Sequence, residues 1–234
     1  MDELSIQDNR LTSALANLRT INIALGGFST SLIALEPHML SRSQSGRLNL
    51  LDVGCGGGDF AEMIVRWADK KAPGLDLRVT AIDYSPATVE WAGEQIKARL
   101  PLRLSSRIEF HCCDVFHLPF EDNAFDIAHA SLFTHHFHAD DIVRIFRQLN
   151  QVSRRGIVVN DLHRHAIAYS SILLLTKALG ASAMVQHDGP LSVSRAFSRD
   201  EIARCAEVSG IGDYSLTWHW AFRWLLSTVP NENV

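Results

Sequence analysis

Past residue 46 the chain alternates between short apolar runs and amphipathic stretches of helical period. Residues 48–53 are an apolar run ending in glycines, and Phe60, Ile64, Trp67 and Ala68 follow at helical spacing. Residues 77–82 predict a second strand. Ser85-Pro86 then supplies an N-cap and a first-turn proline for a helix carrying Val89, Ala92 and Ile96 on one face. Residues 107–112, leading to Asp114, predict a third strand, 125–130 a fourth and 156–159 a fifth. Between the last two, Ile142, Ile145, Phe146 and Leu149 form a stripe with Arg144 and Arg147 outside it. Strands alternating with helices need crossover connections, so the pattern predicts an α/β fold with a doubly wound, mainly parallel sheet.

The two ends of the chain follow other patterns. Ser198-Arg199-Asp200-Glu201 has the form of a capping box and opens a helix that stops at Gly210. Tyr214, Leu216, Trp218, Trp220, Phe222 and Trp224 then occupy every second position. That predicts two strands closing as a hairpin, an antiparallel edge whose aromatics belong to the core. Residues 187–197 read as a connecting loop or a second pocket wall. At the other end Leu11, Leu15, Leu18, Asn22 and Leu25 share one helical face, and a polar hinge covers 41–46. This divides the chain into an N-terminal helical lid segment, 1–46, and a main domain, 47–234. Asn22 interrupts the apolar stripe and needs partners if buried, and Gly26-Gly27 beside it predicts a movable cover that places Asn22 at the substrate.

Composition narrows the function classes. With 234 residues, 47% hydrophobic and 21% charged, the chain can bury one sizeable core. A net charge of -4 leaves no excess of lysine and arginine to displace phosphate counterions, so nucleic acid is not an expected partner. The four cysteines, Cys55, Cys112, Cys113 and Cys205, show no C-x-x-C spacing, which predicts neither a disulfide framework nor a zinc site and points to a reducing, cytoplasmic location. Residues 1–10 lack the pattern of a signal peptide, and neither 11–35 nor 170–185 is suited to span a membrane.

The strongest chemical signal is Asp52-Val53-Gly54-Cys55-Gly56-Gly57-Gly58-Asp59, where the first strand turns into the first helix of the alternating part. Glycines let a ligand approach the backbone, and a helix N-terminus offers unpaired N–H groups to an anion. The dinucleotide fingerprint wants a sixth-position glycine, and Asp59 stands there instead. A nicotinamide-dependent oxidoreductase is thereby disfavoured. Asp83, ending the second strand, is placed to accept from ribose hydroxyls, and Asp114, after the third, from an exocyclic amine.

This ordered set resembles the class I S-adenosylmethionine-dependent methyltransferases, and the resemblance covers the chain from about residue 47 onward. Asp52 to Gly58 is similar to the family's first motif, and Asp83-Tyr84-Ser85 to its second-strand acidic site. Cys113-Asp114-Val115, Leu118-Pro119-Phe120 and Phe125-Asp126 resemble its adenine-side loop and fourth strand. The resemblance implies a seven-stranded sheet with an antiparallel last strand and S-adenosyl-L-methionine as cofactor. Asp52, Gly54, Cys55, Gly56 and Gly58 would hold its methionine part, Asp83 and Tyr84 the ribose, Asp114 and Val115 the adenine, with Ser131 nearby. The implied acceptor is a small, fairly hydrophobic molecule of the kind met in ubiquinone biosynthesis and polyketide tailoring. O-methylation of a phenolic, quinol or polyketide-type hydroxyl leads, with C- or N-methylation and an inactive cofactor-binding module as alternatives.

Acceptor chemistry belongs beyond the carboxyl ends of the strands. Ser131-Leu132-Phe133-Thr134-His135-His136-Phe137-His138 follows the fourth strand there, and a neutral imidazole suits removal of a hydroxyl proton. His136 is the first candidate base because the His-His pair resembles a motif of small-molecule methyltransferases, His135 is the second, and His138 is a substrate contact. Asn160, His163 and Arg164 cluster after the fifth strand and are expected to help place the acceptor, while Asp161 reads as either a helix N-cap or a substrate contact. Magnesium-using relatives carry a carboxylate at the end of the fourth strand, where Ala130 and Ser131 stand, so no metal is expected.

Overall fold

The computed structural model describes residues 9–44, 46–178, 180–181 and 183–230. Two helices, α1 (Asn9–Ala24) and α2 (Ser29–Leu40), precede the alternating part. There follow β1 (Arg47–Val53), α3 (Asp59–Lys71), β2 (Asp76–Asp83), α4 (Pro86–Arg99), the single-turn α5 (Leu102–Ser105), β3 (Ile108–Cys112) and β4 (Ile127–Ser131). A 3₁₀ turn at Thr134–His136 leads into α6 (Ala139–Val152), β5 (Ile157–Leu162), α7 (Ala166–Ala178), α8 (Ala183–Arg195), α9 (Arg199–Ser209), β6 (Ser215–His219) and β7 (Arg223–Ser227). No described helix is long and apolar enough to cross a membrane.

The strands form one seven-stranded sheet in the order β3-β2-β1-β4-β5-β7-β6. β1 to β5 are parallel, and β7 runs antiparallel to both β5 and β6. Strand order reverses between β1 and β4, and the crevice outside their carboxyl ends is where a doubly wound sheet holds ligands. Two apolar layers enclose the sheet. Leu48, Leu50, Ile127, Val158 and Leu225 pack with α2 and α3 on one face. Leu51, Val53, Ala128, Ile157 and Leu226 pack with α6 and α9 on the other. The stripe of α6 is fully buried, as its spacing predicts.

Local signals account for most helix ends. Ser85 Oγ accepts from Thr88 N–H at the start of α4, the Ser198–Glu201 capping box is formed in both directions, and Gly210 ends α9 in the left-handed conformation.

The structure departs from the sequence pattern in four places. The antiparallel strand is interior: all of β7 is buried, and β6 forms the edge. Trp218 and Trp220 are consequently 46% and 75% exposed, because none of the described residues covers the outer strand and its turn, and only part of the aromatic stripe is core. Residues 187–195, read as loop, belong to α8; Gly189-Pro190 suggests a break, but the glycine sits inside the helix where α8 passes close to Ile172 and Thr176 of α7. On α1 the buried positions are Leu15 and Ile21, and Asn22 is half-buried beside them. The side chains of Leu11 and Leu18, and Ser45 of the hinge, lie outside the described residues.

Candidate active site

The turn after β1 is shaped by aromatic rings as much as by ligand space. A side chain at Gly54 would strike the ring of Phe133, one at Gly57 would begin 2.8 Å from Trp91, and one at Gly58 2.9 Å from Phe110. Gly56, at φ +50°, is different: beyond its two chain neighbours, no atom of the described residues lies within 4 Å of where its side chain would start. The loop therefore opens at Gly56, and its other glycines admit packing. Asp83 ties this opening to β2, accepting from Gly56 N–H at 3.0 Å and from Ser85 N–H at 3.1 Å. The buried Cys55 thiol is pushed well up by burial and by Asp52 and Asp83, which removes it as a nucleophile.

Asp114 lies at the adjacent rim. Its Oδ1 accepts from Phe116 N–H at 2.9 Å and its Oδ2 lies 3.1 Å from His117 Nδ1; the backbone donor and the histidine hold it below the usual carboxylate range against partial desolvation. Val115 beside it is buried and Tyr84 is exposed at the lip.

Across the crevice, the turn after β4 places His135 against Asp161 at the end of β5. His135 Nδ1 is 2.7 Å from Asp161 Oδ1, and Asp161 also accepts from Thr134 Oγ1, from His135 N–H at 3.1 Å and from Leu162 N–H at 2.7 Å. Burial alone would raise this carboxyl, but His135 and these donors hold it well below the usual carboxylate range. Asp161 is thus the partner of His135 and not the cap of α7, which begins four residues past Leu162. His136 and His138 are exposed, with the His136 ring 4.2 Å from that of His135.

The remaining predicted acceptor contacts have protein partners. Asn160 Nδ2 donates to Gly27 O at 2.6 Å, Ser31 Oγ at 3.2 Å and Ser131 Oγ at 3.3 Å. Arg164 holds both oxygens of Glu201 at 2.7 Å and Ala196 O at 3.1 Å, bracing α9. His163 Nδ1 accepts from Trp218 Nε1 at 3.2 Å, and burial together with neighbouring His165 lowers its pKa. Asn22 contributes its carbonyl, which accepts from Gly27 N–H at 2.6 Å.

A buried polar row runs under α2 on the same edge of the sheet. Asp52 Oδ1 is 2.8 Å from His129 Nδ1, whose Nε2 is 2.8 Å from Ser31 Oγ, and the His129 ring stacks on Phe60 at 3.7 Å between centroids. One proton on Nδ1 satisfies the chain, with Asn160 donating to Ser31, Ser31 to His129 and His129 to Asp52. Asp52 Oδ2 finds no donor among the described residues. α1 crosses above this edge: Leu15 packs with Trp91, Ile21 packs with Ala181 and Val185, and Arg19 pairs with Asp59 and Glu62 in the first turn of α3.

Residues 50–156, which include the glycine turn, Asp83, Asp114 and His135, match the family model of a methyltransferase domain. Over that stretch the chain is similar to a methyltransferase domain. The chain also resembles a malonyl-[acyl-carrier protein] O-methyltransferase of Acetivibrio thermocellus, 35% identical over 33% of this chain and 23% of that protein. It also resembles a demethylmenaquinone methyltransferase of Roseiflexus castenholzii, 28% identical over 80% and 75% of the two chains. Four of the curated relatives are matched over half of their length or less. The fold is shared with magnesium protoporphyrin IX methyltransferase of Synechocystis, solved with bound S-adenosylhomocysteine (TM-score 0.57, 15% identity, 88% and 84% of the chains).

Sequence reasoning about this methyltransferase domain missed Asp161 as the partner of His135, and missed the Asp52–His129–Ser31 row altogether. A signal was present for the latter, since His129 stands in an otherwise apolar run, Ile127-Ala128-His129-Ala130, at an inward position.

Proposed function

We propose that the chain is an S-adenosylmethionine-dependent methyltransferase acting on a small, fairly hydrophobic acceptor, and that the methyl group goes to the oxygen of a phenolic, quinol or polyketide-type hydroxyl. One juxtaposition carries the reading: the open Gly56–Asp83 corner, after β1 and β2, and the His135–Asp161 pair, after β4 and in β5, stand at the carboxyl ends of strands of one parallel sheet. The residues present fit the cofactor. Gly56 leaves the backbone approachable, and Asp83 beside it is an ionisable acceptor suited to ribose hydroxyls. Asp52 Oδ2 is a buried acceptor without a protein donor and suits an ammonium group at the methionine end. Asp114 is the acceptor for an adenine amine, with Tyr84, Val115 and Ser131 along the rim.

S-adenosylmethionine supplies an electrophilic methyl group on a sulfonium. The protein's own task is to align the acceptor and to move one proton. His135 is the better-built base, because Asp161 fixes its buried ring and keeps a proton on Nδ1, which leaves Nε2 to take the acceptor's proton, whereas His136, which the sequence pattern ranks first, is exposed. α1 lies where a cover for the acceptor would lie.

Calorimetry with S-adenosylhomocysteine, followed by transfer of labelled methyl to a panel of phenols and quinols, tests this. Micromolar binding and an O-methylated product are expected. Binding of NADH with none of S-adenosylhomocysteine would overturn the cofactor assignment. Binding without turnover would favour an inactive module, and a product methylated on carbon or nitrogen would overturn the O-methylation reading.

A further inference from the structure

Arg223 opens β7 and is 2% exposed, yet its Nε and Nη1 find no hydrogen-bond acceptor among the described residues. No carboxylate among the described residues forms an ion pair with it; Asp161 acts on it only through space. Burial lowers its pKa to about 10, so it remains a cation at neutral pH. A buried guanidinium without a counter-ion is unfavourable, and proteins keep such a group where a partner of opposite charge arrives.

The surroundings indicate where that partner enters. Arg223 ends the polar row under α2 that begins with Asp52 and His129 and continues through Asn160, whose own Oδ1 also lacks a donor. Both residues meet the turn between α1 and α2. Asn160 Nδ2 donates to Gly27 O, and a side chain at position 27 would begin 3.1 Å from Arg223 Nη2. Glycine there lets the turn rest on the guanidinium, and Gly26 beside it has φ +62°.

Resting on the methyltransferase reading above, we infer that the acceptor carries a carboxylate and that Arg223, beneath the Gly26–Gly27 turn, seats it. Two parallel N–H donors of a guanidinium match the two oxygens of a carboxylate, which a lysine or a hydroxyl cannot reproduce. The methionine carboxylate of the cofactor is the other carboxylate at hand, but the sheet order separates the sources. The glycine turn follows β1, and β7 lies three strand spacings away, about 14 Å. Arg223 therefore serves the acceptor side. The expected acceptor is an apolar acid whose hydroxyl faces His135 while its carboxylate lies under the turn.

The test uses the full chain saturated with S-adenosylhomocysteine. Calorimetric titrations compare benzoate, 4-hydroxybenzoate, cinnamate and octanoate with their carboxamides. At least one acid should bind at least tenfold more tightly than its amide. Arg223→Met should abolish that preference, Arg223→Lys should keep part of it, and both should bind S-adenosylhomocysteine within twofold of wild type. The Met variant should melt close to the wild type, because Nε and Nη1 lose no protein acceptor, and acids should raise the melting temperature of the wild type alone. Equal binding of acids and amides, or no binding of any acid, overturns the inference while cofactor binding stands. Lower melting of both variants shows a structural role and overturns it too. Weakened S-adenosylhomocysteine with unchanged 5′-methylthioadenosine, which lacks the carboxylate, would assign Arg223 to the cofactor. Absence of S-adenosylhomocysteine binding by the wild type would instead sink the methyltransferase reading itself.

Discussion

Nδ1 of His135 lies 2.7 Å from Oδ1 of Asp161, with both side chains buried, at 5% and 1% exposure. An ionised carboxylate only accepts, so Nδ1 carries a hydrogen. Asp161 is itself held by Thr134 Oγ1 and two backbone N–H groups, so neither the ring nor its partner can rotate without breaking several bonds. This held geometry is what supports the proposal of His135 as base toward a hydroxyl acceptor.

His135→Ala should lower turnover by roughly 10²- to 10⁴-fold with little change in S-adenosylhomocysteine affinity. A phenol ionises near pH 10, so raising the pH should partly restore the variant. His136→Ala should cost less. Steady-state kinetics across pH decide it, and a larger loss in the His136 variant would transfer the role to that residue.

Acid stability should report on Asp161. Its folded carboxyl lies well below the unfolded value of about 3.9. The stabilisation is therefore fully present above the unfolded value and is lost as pH falls toward the folded one. Asp161→Asn should flatten the loss of stability below about pH 4 and cost about 1–3 kcal/mol at neutral pH, because His135 loses its acceptor. Denaturant unfolding at a series of pH values measures both; an unchanged acid slope would contradict the assignment.

Asp83→Ala should weaken S-adenosylhomocysteine by roughly 1–3 kcal/mol, since ribose hydroxyls lose an ionised partner and the Gly56 turn loses its tie to β2. Isothermal calorimetry reads the loss directly. Affinity within twofold of wild type would remove Asp83 from the cofactor site.

Gly56→Ala and Gly58→Ala should separate binding from packing. Both positions have positive φ, but only position 58 faces a ring, that of Phe110. The Gly56 variant should lose cofactor affinity with the smaller drop in melting temperature, and the Gly58 variant should show the larger drop. The reverse order would mean that the opening at Gly56 serves the fold.

The N-terminal helix should act as a cover. Removing residues 1–24 should reduce turnover more than S-adenosylhomocysteine affinity, because α1 touches Trp91 on one side of the crevice and Val185 on the other. Arg19→Ala, which breaks the pair with Asp59 and Glu62, should raise the KM of the acceptor. Parallel losses of turnover and cofactor binding would make α1 part of the core.

The sequence by itself determined the alternation of strands and helices, the caps at Ser85, Ser198 and Gly210, and the order in which Asp52, the glycine turn, Asp83 and Asp114 follow one another. These are readable because period, capping and turn chemistry act within a few residues along the chain. Tertiary structure decided what each strand lies beside. Only the order β1-β4-β5-β7 brings Asp52, His129, Asn160 and Arg223 into one row under α2, although 171 positions separate its ends. Only the adjacency of the β4 turn and β5 gives His135 its carboxylate. The placement of β7 inside the sheet also left Trp218 and Trp220 on the outer strand and its turn, exposed although their spacing matches that of core positions. Alternation along a strand states which residues share a face, but the partner across that face comes from distant segments, and no local periodicity encodes it.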